Sequence, residues 1–254
     1  MLGDYGLQVH LPQSADDGAR LPVLWVLDAR NLLPLVVSVM DWLSRRPDAT
    51  GIRPMLIAGL DRAAPDKAGR FHDLTFEAPA DPASIPPGAG HGGANLFADL
   101  LAGPACDAVS KAFAPDLSRT ALLGHSLAGQ FALRLAAERP GLFAVTGAVS
   151  PSIWWNAPVL FDRIGEMPDR GQALFLAAGS REQPDAPQTA DEQRRGARHM
   201  VSNLHHAAGL LTARLGATRV ESRVAGGEDH ASALVAMLPD FLRFASRHIA
   251  ARDA

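Results

Sequence analysis

The sequence predicts an α/β fold: a largely parallel sheet with helices on both faces. Three observations lead there. Continuous apolar runs of strand length recur, stretches with helical periodicity separate them, and the two alternate along the 254-residue chain. No internal repeat or interdomain linker interrupts the rhythm, so one domain is expected.

The elements follow in order. The chain begins almost inside its first strand. "LPVLWVLD" (21–28) is an unbroken apolar run of the kind buried on both faces of a parallel sheet. "RPMLIAGLD" (53–61), "RTALLGH" (119–125), "FAVTGAVS" (143–150) and "ALFLAAGS" (173–180) repeat that character. "TRVESRVAGG" (218–227) alternates more, as a strand near an edge would. Residues 31–45, 94–113, 127–139, 191–215 and 231–250 read as helices. Residues 62–93 break the pattern with five of the 19 prolines and the run "GAGHGG", and read as a long loop, part of a pocket or a lid.

Composition excludes several function classes. With 47% hydrophobic residues the chain can bury a sizeable core, and a net charge of −3 leaves no electrostatic footprint for nucleic acid. Cys106 is the only cysteine, which rules out an internal disulfide and a cysteine-based metal site. The opening "MLGDYGLQVHLP" has no basic region followed by an apolar core, and no apolar run approaches the ~20 residues of a membrane span. A cytoplasmic protein is expected.

The chemistry centres on "GHSLAG" (124–129). Gly124 and Ser126 fit the nucleophile pattern G-x-S-x-G, with Ala128 in place of the last glycine. A serine wedged between strand and helix lifts its hydroxyl clear of the sheet and aims the helix's first N–H groups at a developing oxyanion. The alternative is that Ser126 merely caps a helix. The downstream order favours the nucleophile, because hydrolases of this kind supply serine, acid and histidine in that sequence. His230 follows a strand and a glycine turn and precedes an amphipathic helix, the place for the base. Glu182, Asp185 and Asp191 compete for the acid; Glu182 comes soonest after its strand and is preferred. Glu228 and Asp229 lie too near His230 in sequence for that role.

At this point the chain resembles a known family, the esterase branch of the α/β-hydrolases that includes siderophore esterases, feruloyl esterases and S-formylglutathione hydrolases. The similarity runs nearly end to end. It rests on "LPVLWVLDARNLL", on "AGRFHDLTFEAP" with Arg70, Asp73 and Thr75, on "GGANLFADLLAGPACDAV", on the elbow, and above all on "SPSIWWN" (150–156). That last motif is most similar to the bacterial ferric-siderophore (trilactone) esterases, which cleave backbone esters of catecholate siderophores such as enterobactin. The resemblance implies the α/β-hydrolase fold, a cofactor-free serine mechanism and a small-molecule ester substrate. It makes Ser126 the nucleophile and His230 the base, with oxyanion N–H groups from Leu127 and Ala29. Ala29 departs from the family's glycine, so its backbone must do without glycine's dihedral freedom. The family usually has a further N-terminal strand, and this chain is expected to begin after it.

Trp154 and Trp155 are candidates to stack on an aromatic acyl group, though adjacent tryptophans point differently and one is expected to face the pocket. Arg30, Arg70 and His125 are the other candidate substrate contacts, with Arg181 a further cation near the site. "HGGAN" (91–95) reads as a hinge or a lead-in to a helix. His199, His205 and His206 share a helical stretch, but no carboxylates accompany them and no metal site is expected. His72 is expected at the surface. Two other functions stay open: a general carboxyl or aryl (feruloyl-like) esterase, and a catalytically silent hydrolase fold that binds a ligand.

Overall fold

In the computed structural model, residues 2–250 are described, apart from 16, 17, 19 and 65. Among them a seven-stranded sheet forms the centre, in the order β1-β3-β2-β4-β5-β6-β7. β1 (Tyr5–His10) runs antiparallel at one edge; β2 (Pro22–Val26), β3 (Leu56–Arg62), β4 (Asp116–His125), β5 (Val145–Val149), β6 (Ala173–Gly179) and β7 (Val220–Ala225) are parallel. This is the mostly parallel α/β architecture expected from the alternation.

Within each strand, alternate side chains enter different layers. Leu24 and Val26 of β2 join Ile57, Leu123 and Phe175 beneath α1 (Ala29–Leu43) and the C-terminal helix, residues 232–250. Val23 and Trp25 join Leu56, Ala58 and Leu122 on the opposite face, against Phe97 and Phe131. Farther along that second face, Leu174 and Leu176 pack on Leu204 and Leu211. A continuous apolar run is therefore needed in each inner strand, because both of its faces are covered.

The helices differ from expectation in several places. The stretch 62–93 is not a bare loop: α3 (Lys67–Leu74) forms within it, after the short α2 (Pro47–Thr50) has led into β3. The polar sequence of α3 gives little signal, and tertiary pairs hold it. Arg62 donates twice to Asp73, at 2.7 Å each, and the Tyr5 hydroxyl donates to the same carboxylate at 2.9 Å. Burial and that carboxylate push the Tyr5 phenol up to about 12. The remainder of the segment is tied down as well, since Trp155 Nε1 donates to the Glu77 carbonyl and the Ala80 N–H donates to the Trp155 carbonyl.

The expected helix 94–113 is α4 (Ala94–Leu100) and α5 (Cys106–Phe113) joined by a wide π turn that contains Pro104. α6 (Leu127–Glu138) matches its expectation, and α7 (Ala157–Glu166) follows the tryptophan turn unannounced. The expected helix 191–215 is α8 (Ala190–Gly196) and α9 (Met200–Leu215), broken where His199 adopts a left-handed φ of 50°. α10 (Ser232–Ala250) is the last helix among the described residues, and none of their helices is long and apolar enough to cross a membrane.

Candidate active site

Ser126 sits between β4 and α6 at φ 60°, ψ −122°, a conformation a serine adopts only under constraint. Such a residue costs roughly 1–3 kcal/mol unless its surroundings over-determine it. Here the Ser126 N–H donates to the Val149 carbonyl at 3.0 Å, and the Ser126 carbonyl accepts from Ser152 N–H and Gln130 N–H, both at 3.0 Å. The turn also needs bare backbone beside it. A β-carbon at Gly124 would collide with the Ala128 carbonyl, and one at Gly129 would press on Val149 O at 3.1 Å. Gly124 is thus the position that cannot carry a side chain and Gly129 a tight one, whereas the Ala128 methyl is simply buried.

His230 arrives on the loop between β7 and α10. Gly179, at the end of β6, has no side chain, so the Glu228 carbonyl approaches closely and accepts the Arg181 N–H at 3.0 Å. The Gly227 N–H donates to Ser180 Oγ at 2.9 Å. Asp229 then caps α10, accepting from Ser232 N–H and Ala231 N–H, which holds its carboxyl below the ordinary carboxylate value. Held from both sides, His230 places Nε2 2.9 Å from Ser126 Oγ and Nδ1 2.6 Å from Glu182 Oε2. A carboxylate only accepts, so Nδ1 carries the proton and Nε2 takes the serine's hydrogen bond.

Glu182 is 3% exposed. Burial pushes its carboxyl upward, but hydrogen bonds from His230, Ser150 and the Gly179 N–H outweigh it and hold the group below its usual value. Ser150 Oγ donates to Oε1 at 2.6 Å and Gly179 N–H at 2.7 Å. The competing acids lie elsewhere: Asp185 is exposed, and Asp191 pairs with Arg194 on the surface.

Ser150 and Ser152 are the residues that the sequence reading left without a role. Both belong to "SPSIWW". Ser150, fully buried at φ 47°, grips the acid; Ser152 Oγ lies 3.5 Å from Ser126 Oγ. One turn after β5 therefore contacts both ends of the serine–histidine–carboxylate chain. The motif was legible, but which hydroxyl faced which partner was not.

Ala29 begins α1 at the carboxyl end of β2, and Leu127 begins α6 just past the end of β4, the adjacent strand. Among the described residues neither N–H is taken by a protein acceptor. The concern over glycine at 29 dissolves, because the left-handed residue is Asp28, at φ 53°, and Ala29 is helical. Asp and Asn tolerate that region best among residues with side chains. Asp28 is further held by Arg70, whose Nε and Nη2 donate to its two carboxylate oxygens at 2.6 and 2.7 Å. Gly59 leaves room for the Ala29 methyl against β3.

The five candidate substrate contacts separate. Arg70 is committed to Asp28. The Arg30 guanidinium donates to the carbonyls of Arg62 and Ala63, at 2.9 Å each. His125 Nε2 donates to the His230 carbonyl at 2.8 Å, and burial, followed by the nearby His230 charge, pushes its imidazole below the ordinary range. Trp155 is buried; Trp154 is half-buried with Arg198 stacked on its ring. The "HGGAN" run packs on α3, Gly93 N–H donating to the His72 carbonyl, and leads into α4. Among the described residues no group of three His, Cys, Asp or Glu side chains is arranged to hold a metal ion.

The chain is similar to known proteins over most of its length. Ferri-bacillibactin esterase BesA of Bacillus subtilis is 27% identical over 255 residues, covering 95% of this chain and 84% of its own. The siderophore triacetylfusarinine C esterase of Aspergillus fumigatus is 32% identical over 205 residues, 74% of this chain and 67% of the relative. Among solved structures, the siderophore hydrolase EstA from Aspergillus nidulans superposes with a TM-score of 0.81 at 28% identity, over 96% of this chain and 90% of that one. Residues 1–225 match the family described as "Putative esterase", and the chain belongs to that family.

Proposed function

We propose that this esterase cleaves the backbone esters of a siderophore of the enterobactin type through an acyl-enzyme on Ser126. The observation that carries the mechanism is the unbroken chain Ser126 Oγ–His230 Nε2 and His230 Nδ1–Glu182 at 2.9 and 2.6 Å. His230 takes the hydroxyl proton as Ser126 attacks the ester carbonyl, and Glu182 stabilises the resulting imidazolium. The tetrahedral oxygen is received by the N–H groups of Ala29 and Leu127. His230 then protonates the leaving alcohol, and water, activated in the same way, releases the acid. The names of the relatives support the substrate: they are esterases of ferri-bacillibactin, of triacetylfusarinine C and, for the Emericella nidulans relative at 32% identity, of enterobactin.

Parallel hydrolysis assays on a catecholate trilactone and a p-nitrophenyl ester series test this. Trilactone turnover exceeding that of the simple esters is expected. Fast short-chain or aryl turnover with no trilactone cleavage would instead leave a general carboxylesterase.

Arg70 acts here at one remove. With its clamp gone, Asp28 is free to leave the left-handed region and the Ala29 N–H swings off the oxyanion. Losing one such donor outright costs ~10²–10³ in rate. Arg70→Ala is therefore expected to lower kcat by about 10–100-fold with little change in KM. A rise in KM alone, measured in steady state, would mean that Arg70 binds substrate directly.

A further inference from the structure

A second cavity lies at the end of the sheet opposite Ser126. The parallel strands present Ala29 and Ser126 at their carboxyl ends, after β2 and β4. Where β2, β3 and β4 begin, a hollow of about 910 Å³ opens instead, bounded by the residues that follow α1 and by the last turns of α10. α1 spans most of the distance between the two sites, about 22 Å at 1.5 Å per residue.

The chain has a net charge of −3, yet this cavity is basic. Arg20, Arg45, Arg53 and Arg119 line it, and Asp48 is the one acid among the described lining residues. Arg119 is engaged: its Nε donates to Asp116 at 2.7 Å and its Nη2 to the Arg20 carbonyl at 3.1 Å. Among the described residues no carboxylate pairs with the other three. The Arg45 guanidinium rests over the Trp42 ring, 5.5 Å from its centroid, and Arg20 Nη2 reaches the Pro115 carbonyl at 3.4 Å. Arg53 is anchored by its backbone, whose N–H donates to Ser246 Oγ at 3.1 Å, while its side chain is exposed.

Buried hydroxyls complete the wall. Ser44 and Ser246 are 2% and 4% exposed. Ser246 Oγ accepts the Arg53 N–H, so its own proton is left to donate. The hydroxyls of Ser14 and Ser44 share one hydrogen bond at 2.6 Å, which uses one of their two protons. Asp48 apart, the polar side chains of the cavity therefore have protons to give. A guanidinium forks onto an oxyanion through two parallel bonds, and the three that lack a carboxylate can do so without breaking an internal salt bridge. The volume exceeds the needs of one phosphate and falls in the range of small-molecule sites.

We propose that this cavity is a second ligand site, which binds a small, multiply charged oxyanion: a polyphosphate or a polycarboxylate. The proposal goes beyond the esterase reading and does not depend on which ester Ser126 cleaves.

Calorimetric titration tests it, with inorganic triphosphate and citrate as the probes, in about 0.15 M salt so that diffuse surface attraction is screened. The proteins compared are the wild type, Arg53→Gln, the double variant Arg20→Gln with Arg53→Gln, and Arg194→Gln, whose arginine pairs with Asp191 on another surface. One equivalent of at least one probe is expected to bind the wild type. Tighter binding of triphosphate marks a phosphate ligand, and tighter binding of citrate a carboxylate one. Arg53→Gln should raise Kd about tenfold and the double variant about a hundredfold, with Arg194→Gln unchanged. Both substituted arginines are exposed, so the fold is expected to survive, and thermal melts verify it. Saturable binding of neither probe at about 1 mM would overturn the proposal. So would binding indifferent to Arg20 and Arg53, or weakened as much by Arg194→Gln.

Discussion

Ser126→Ala is expected to lower kcat for ester hydrolysis by roughly 10⁴–10⁶ while leaving the protein folded, and His230→Ala should match it. The fold survives because the hydroxyl contributes little to it: its contacts are His230 Nε2 at 2.9 Å and Ser152 Oγ at 3.5 Å, and the elbow is held by backbone hydrogen bonds that alanine retains. The activity does not survive, because no second nucleophile inherits the proton path through His230 to Glu182. Since serine and histidine act as one unit, the double variant should be no slower than either single one. Progress curves on a p-nitrophenyl ester, with circular dichroism to verify folding, decide it. A double variant markedly slower than both singles would mean the two residues work independently, against the mechanism.

Glu182→Gln should cost about 10³–10⁴ in kcat, through a tautomer rather than a charge alone. Ser150 Oγ and the Gly179 N–H both point donors at Oε1, so the amide oxygen of a glutamine is drawn to that side. Its NH₂ then faces His230 Nδ1. The imidazole must answer with a lone pair there, which moves its proton to Nε2, where it can no longer accept from Ser126. The same substitution alters stability against pH. Glu182 holds its carboxyl lower in the folded chain than in the unfolded one, so its contribution is fully present above the unfolded value of ~4.3 and fades as pH falls through the folded one. Thermal melts from neutral pH down into that acid range should therefore lose part of their slope in Glu182→Gln. Identical slopes for both proteins would show that the hydrogen bonds around Glu182 do not hold it ionised.

Much of this molecule was legible in the chain. Inner strands buried on both faces must be apolar throughout, so β2 through β6 stood out as runs, and the order of Ser126, Glu182 and His230 along the chain pointed to residues that the fold brings together. The illegible parts share a cause: they depend on partners remote in sequence. A strand at the start of the chain was expected, but β1 is half-buried and has no unbroken apolar run, so its pairing with β3 is what sets its limits and antiparallel direction. α3 is polar, and its helix is stabilised by Arg62–Asp73 and by Arg70 reaching Asp28, 42 residues away. The arginines at 30 and 70 looked alike as cations near a site. Their guanidiniums were already engaged, one by backbone carbonyls and one by a carboxylate, and nothing local in the sequence records that. His199 broke a helix that its neighbours would have continued, because a left-handed histidine carries no signature comparable to glycine's.

The position of His230 ties the timing of activity to the end of the chain. The loop that carries it opens directly into α10, whose Leu238, Phe241 and Phe244 seal one face of the sheet against Phe175, Val145 and Ala177. During synthesis the serine and its strained turn are made first, more than a hundred positions before the base that arms them. A nascent or truncated chain that stops short of this helix lacks the proton acceptor and leaves that apolar face bare. Recovery of hydrolysis after denaturation therefore requires this helix to be docked, and reports that packing together with the assembly of the sheet it covers.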